Sequence, residues 1–157
     1  RKLHALPWPA KFTLSANIAS GDADPDDARL ETFDALYPRG NYFSNLALLG
    51  PANFYNINPS VELYPSPTLT LTAGVNLFWR METEDGIYRP SGALLRPGDN
   101  SDARFVNTAV SAGSSWQISE TLLLETAFAY SIAEQFLRES GPSDDAHYVE
   151  LTVKKTF

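Results

Sequence analysis

Residues 148–157, YVELTVKKTF, alternate between apolar and polar. Val149, Leu151, Val153 and Phe157 fall on one face, and Tyr148, Glu150, Thr152, Lys154 and Thr156 on the other. Residues two apart share a face of a strand, so this segment predicts a strand with one greasy and one wet side. A last strand ending in Phe is the habit of bacterial outer-membrane β-barrels, at the periplasmic rim. Five more segments carry the same period. Residues 11–20 oppose Phe12, Leu14, Ala16 and Ile18 to Thr13, Ser15 and Asn17. Residues 54–64 oppose Tyr55, Ile57, Val61 and Leu63 to Asn56, Asn58, Ser60 and Glu62. Residues 68–80 oppose Leu69, Leu71, Ala73, Val75, Leu77 and Trp79 to Thr68, Thr70, Thr72, Gly74, Asn76 and Arg80. Residues 105–118 and 122–133 follow the same rule. Leu, Ala and Glu also suit a helix over 119–138; the strand is preferred because the other segments need a partner of that length. Pro59 lacks an N–H and predicts a bulge or a strand end.

The connections alternate in length. Residues 65–67 and 119–121 are tight turns, whereas 21–53 and 81–104 are long and 134–147 is intermediate. Short turns on one side and long loops on the other mark an outer-membrane barrel. Counting back from a periplasmic C-terminus, both turns fall in the periplasm and all three longer loops outside. Apolar-face aromatics sit near strand ends: Phe12, Trp116 and Phe157 at the periplasmic end, Tyr55 and Trp79 at the outer end, as two interfacial girdles. Lys155 is the exception on this face and is placed to snorkel. The fold class expected is all-β, an antiparallel up-and-down transmembrane barrel. Barrels in membranes begin at about eight strands, so the six here are expected to be the last strands of a larger barrel. The opening RKLHALPWPAK reads as the middle of a chain, with an N-terminal portion preceding it.

Composition narrows this reading. The chain has 157 residues, a net charge of −7 and no cysteine. An acidic balance speaks against nucleic acid, and the missing thiols remove disulfides and thiolate metal sites. No apolar run approaches the roughly 18–20 residues of a spanning helix, so any crossing uses strands. Catalytic signals are weak. His147 beside Asp144 and Asp145 is a loop proximity, and no Gly-rich phosphate loop or HExxH is present. No enzyme, cofactor or metal is expected. Asp22, Asp24 and Asp26 alternate like a Ca²⁺ loop but lack its glycine and its final acid, where Phe33 stands. A solvated acidic turn is the plainer reading, and a looser divalent-cation site the other. Only Arg29 offsets Asp22, Asp24, Asp26, Asp27, Glu31 and Asp34, and such loops suit bridging to lipopolysaccharide through divalent cations.

The strand ending ANIASGD at 16–22, then TFDALYPRGNYF at 32–43, Asn53-Phe54, YPSPTLTL at 64–71 and Leu77-Phe78-Trp79-Arg80 resemble the alginate export family of outer-membrane barrels. The resemblance runs from about residue 7 to 157. It implies a monomeric barrel of about 18 strands, within the bacterial range, that exports a polysaccharide such as alginate. It also implies membrane lipid as surroundings and assembly by the barrel-assembly machinery through Phe157. The family's lumen is basic. Here Arg80, Lys154 and Lys11 point inward, with Arg39 in the matching outer loop, and Asn56, Asn76, Glu62, Glu125 and Glu150 complete the expected lumen lining. For Arg80, a salt bridge to Glu62, Glu125 or Glu150 stands equal to a substrate contact, because an arginine fork suits any carboxylate. Passive conduction through a polar lumen is the function expected. A general porin or surface-binding barrel, and a soluble β-sandwich or lipocalin-like binder, are the alternatives.

Overall fold

The computed structural model describes residues 7–38, 40 and 42–157. Six antiparallel strands pair in chain order, each with its sequence neighbour. They are β1 (Ala10–Ala19), β2 (Phe54–Ser66), β3 (Leu69–Trp79), β6 (Phe105–Ser119), β7 (Leu122–Ala133) and β8 (Ala146–Lys155). All six expected strands form, with ends within two residues of the periodic segments. The long β3–β6 connection contains a small hairpin, β4 (Ile87–Tyr88) and β5 (Leu94–Arg96). Helix α1 (Gln135–Ser140) lies between β7 and β8. It overlaps only residues 135–138 of the 119–138 helical alternative, and 122–133 is strand. The sheet is an open arc, with β1 and β8 as its edges.

The registers align the faces across all six strands. Phe12, Val61, Ala73, Ala112, Phe128 and Val149 form one crosswise row, and Lys11, Glu62, Thr72, Gly113, Ala127 and Glu150 the next. A one-residue slip would exchange the faces, so the alternation itself fixes this register. Ser114 and Thr126 intrude on the apolar face and satisfy each other at 2.8 Å.

Three details depart from the sequence reading. Pro59 makes neither a bulge nor an end. It stays paired with Leu14, and pairing to β3 merely skips Asn58 and Pro59 before resuming in the same register. The β2–β3 turn is tighter than 65–67, because Pro65 and Ser66 still belong to β2. The last strand stops at Lys155, since its partner β7 begins at Leu122, opposite that residue. Phe157 lies beyond it, fully exposed.

The apolar face is open. Phe12, Leu14, Val149 and Leu151 are 72%, 73%, 73% and 67% exposed. The packed core lies elsewhere, on the polar side of the sheet at its long-loop end. There Phe54, Phe78, Ile87, Val106 and Phe136 are buried together. Phe54 and Phe78 stack at 5.1 Å.

Candidate functional site

The polar face divides into two zones. Toward the tight turns it is an open floor of small and hydroxyl side chains. Thr70, Thr72, Ser111, Gly113, Ser115 and Ala127 border a concavity of about 580 Å³, with Glu125 and Glu150 at its margin. The charged residues here are already matched. Lys11 Nζ meets Glu62 Oε1 at 3.0 Å across a directly opposed pair, and Tyr64 donates to the other Glu62 oxygen at 2.6 Å. Lys154 is bridged to Glu125. Glu150 accepts from Tyr148 and from Thr152, the latter at 2.8 Å. Both ion pairs remain wet, with the lysine side chains about three-fifths exposed (61% and 59%). Exposed pairs of this kind are worth roughly 0–1 kcal/mol, so they exchange partners readily.

Higher up, the face carries a row of amides, buried except at its β1 end. Asn17 donates to Asn56 Oδ1 at 3.0 Å, and Asn56 donates to Asn76 Oδ1 at 2.8 Å. Asn107 donates to Ser131 Oγ. Each is a side chain that alternation placed on the polar face; the burial of Asn56, Asn76 and Asn107 is offset by hydrogen bonds, while Asn17 on the edge strand is exposed.

Arg80 overturns its expectation. It is fully buried and touches neither the open floor nor Glu62, Glu125 or Glu150. Its guanidinium donates six hydrogen bonds to five backbone carbonyls. Nε and Nη2 reach Ala103 O, Nη1 reaches Thr83 O, Asp85 O and Gly98 O, and Nη2 also reaches Ser101 O. It also sits 3.9 Å from the centre of the Phe136 ring. Burial lowers its pKa and Arg104 lowers it further, while Asp102, Asp85 and Glu84 oppose the shift. The group stays charged at physiological pH because an arginine begins so high. The reason for the error is local. Residue 80 is the first beyond β3, where the 81–104 loop turns back over the polar face and five of its carbonyls converge. Close approach permits this: a Cβ on Gly98 would stand 2.4 Å from Glu84 O and 2.5 Å from Asp85 O.

Two further residues that the sequence did not single out as site groups tie the loops together. Asp85 is buried and accepts from Asp22 N–H, Thr32 Oγ1, Gly86 N–H and Tyr88 OH, at 2.6–2.9 Å. Burial first, and then this bond to Asp85, push the Tyr88 phenol up to about 12. Asn53 is buried in the left-handed region (φ 46°) and donates to Glu82 O and Gly86 O, both at 2.9 Å. Its Oδ1 accepts from Glu82 N–H at 2.7 Å. The sequence hints were slight: Asp85-Gly86 is a turn dipeptide, and Asn53 stood within one of the pieces that carry the family resemblance.

The acidic turn is built from its own backbone. Asp22, Asp24 and Asp27 each accept the N–H two residues on. Among the described residues, no group of three or more His, Asp or Glu side chains is placed to hold a metal. Arg39 lies outside the described residues, as does His4.

The alginate export family model matches residues 2–136. The chain belongs to the alginate export family. Membership places it in the outer membrane, by kinship alone, and points to a polysaccharide export channel rather than an enzyme. Neither a curated protein nor a solved structure matches the chain. For an alginate export barrel the arrangement is coherent: an all-β arc, an apolar face turned outward and a polar face carrying the hydrogen-bonding groups.

Proposed function

We propose that this sheet is one arc of a closed outer-membrane barrel whose polar face lines a water-filled lumen. A polysaccharide such as a polyuronate would diffuse outward through that lumen, with the long-loop end outside and the tight-turn end in the periplasm. The observation that carries this is the open apolar face. Phe12, Leu14, Ile18, Val149, Leu151 and Val153 are 62–73% exposed. Leaving each in water forfeits about 1.5–3 kcal/mol, or about 9–18 kcal/mol for the six, as much as the whole net stability of a typical domain. A soluble sandwich would cover that face. Here helix α1 packs onto β6 and β7 with Phe136 in the core, which lies on the polar side at the long-loop end. Lipid is the solvent such a face suits. Tyr55, Trp79 and Phe105 stack on it at the long-loop end, with centroids 5.3 and 5.1 Å apart, where an interfacial girdle belongs.

The charges on this arc favour passage over tight holding. Each inward lysine already has a glutamate, so a uronate carboxylate would displace Glu62 or Glu125 in a nearly even exchange. Weak, repeated sites let a chain enter and also leave. The same balance favours a second reading, a general polar pore. Single-channel recording on the full-length protein separates them. Block by polyuronate but not by neutral glycan supports the exporter, and Glu125→Gln should strengthen that block by freeing Lys154. Equal block by both glycans would leave the general pore, and absence of any channel would remove both.

A further inference from the structure

We infer that residues 43–49 form a shelf folded into the pore, which narrows it and sets the size of chain that passes. The inference rests on the polar face being the lumen. Residues 43–49 of the β1–β2 connection lie against the sheet. Phe43 turns onto the polar face and packs edge-on against Phe54 and Phe78, with centroids 4.7 and 5.2 Å away. Past it, a turn closes from Ala47 N–H to Ser44 O at 3.1 Å, and Ser44 Oγ accepts from Leu46 N–H. Ala47 takes a positive φ of 50° there. Leu48 and Leu49 then lie over Asn76, Asn107, Ala109 and Ser131. The gap beneath them is only about 10 Å³, at the limit for one water molecule. The shelf is therefore seated on the wall, and its cover is what buries the amides of Asn76 and Asn107.

Its inner edge matters for transport. Phe43, Ser44 and Asn45 form the roof of the 580 Å³ concavity whose floor is Thr70, Thr72, Ser111 and Ser115. A chain arriving from the tight-turn end would cross that hydroxyl floor and meet the shelf next. Its exposed groups are Asn45, Ala47 and Leu48, uncharged throughout. A hydroxyl-rich linear glycan suits such a passage: sugar hydroxyls find Ser, Thr and Asn partners, and its apolar ring faces slide over Leu48. The shelf would discriminate by girth, not by charge.

The test is thiol scanning of the full-length protein in planar bilayers, using a sulfonate-bearing methanethiosulfonate reagent. This chain has no cysteine of its own. Ser44→Cys probes the shelf, Thr72→Cys the open floor, and Leu36→Cys an exposed position of the same connection away from the concavity. Adducts are verified by mass. Modification at Ser44→Cys should lower conductance by roughly 1.5-fold or more, as expected for bulk and charge at a constriction, and Leu36→Cys should not respond. Removal of residues 44–48 should raise conductance and admit wider neutral dextrans. A response at Thr72→Cys with none at Ser44→Cys would overturn the shelf and keep the lumen. No response at either would overturn the lumen reading itself. If the shortened chain fails to fold, the Ser44→Cys result still decides.

Discussion

Replacing Arg80 by Met should release the 81–104 loop while leaving the barrel wall intact. The substitution leaves a shorter, uncharged side chain; it removes six hydrogen bonds to five carbonyls and the guanidinium's contact with the Phe136 ring. Bonds to a charged donor contribute about 1.5–3 kcal/mol each, so plain addition would give about 9 kcal/mol or more. That sum is too large, because burying a guanidinium itself costs several kcal/mol and Met escapes that cost. The carbonyls also regain water once the loop opens. A loss of about 3–5 kcal/mol remains, the usual range for removing one member of a buried charged network. It corresponds to a rise in the open population of about two to nearly four orders of magnitude.

Chymotrypsin reads that population at Tyr88, Leu94 and Leu95, because cleavage of a transiently opened segment tracks the opening equilibrium. Heat-modifiable gel migration reports separately that the barrel is folded. Arg80→Lys should fall between, since an ammonium has three donors for five acceptors. Cleavage of Arg80→Met within about threefold of wild type would refute the reasoning, since threefold is under 1 kcal/mol. If polyuronate block changed while cleavage did not, Arg80 would be a substrate contact after all.

Three further outcomes follow from the same geometry. Leu14→Arg, midway along β1 on the apolar face, should cost about 2–4 kcal/mol in urea titration of the protein folded into lipid vesicles, whereas Thr13→Arg on the polar face should cost little; equal costs would mean that lipid does not cover this face. Asn53→Ala should speed cleavage of 81–104 more than Asn53→Gly, because both lose the bonds to Glu82 and Gly86 but only alanine is strained at φ 46°; the reverse order would exclude strain as a factor. The Tyr88 phenol, raised by burial and by Asp85, favours its neutral form in the folded loop. Its contribution is full below the ordinary value of 10.0 and is lost as pH rises to about 12. The phenolate absorbance removed by Tyr88→Phe should titrate near 12, and a midpoint near 10 would show that this burial is absent.

The wall was legible in the sequence and the loops were not, for one physical reason. A strand's facing is a property of its own residues: Leu69 to Trp79 alternate because each face meets a different solvent, and period two reports that without knowledge of any partner. The bonds that shape the loops are long-range. Asp22 meets Asp85 across 63 positions, and Asn53 meets Gly86 across 33. No local pattern announces such pairs. Arg80 shows the boundary between the two regimes. Parity placed it on the polar face of the sheet, since Phe78 and Asn76 precede it at spacing two. Parity could not say whether water or backbone would meet it there. That depended on where the next two dozen residues went, and they folded back over it. Lys11 and Lys154 lie one residue from the tight-turn ends of β1 and β8, away from the long loops, and there the alternation and the wet ion pairs agree. A charged residue at the mouth of such a barrel is therefore weak evidence for a pore contact when a long loop follows it. The same side chain at the tight-turn end is stronger evidence, because no long loop folds over the polar face there.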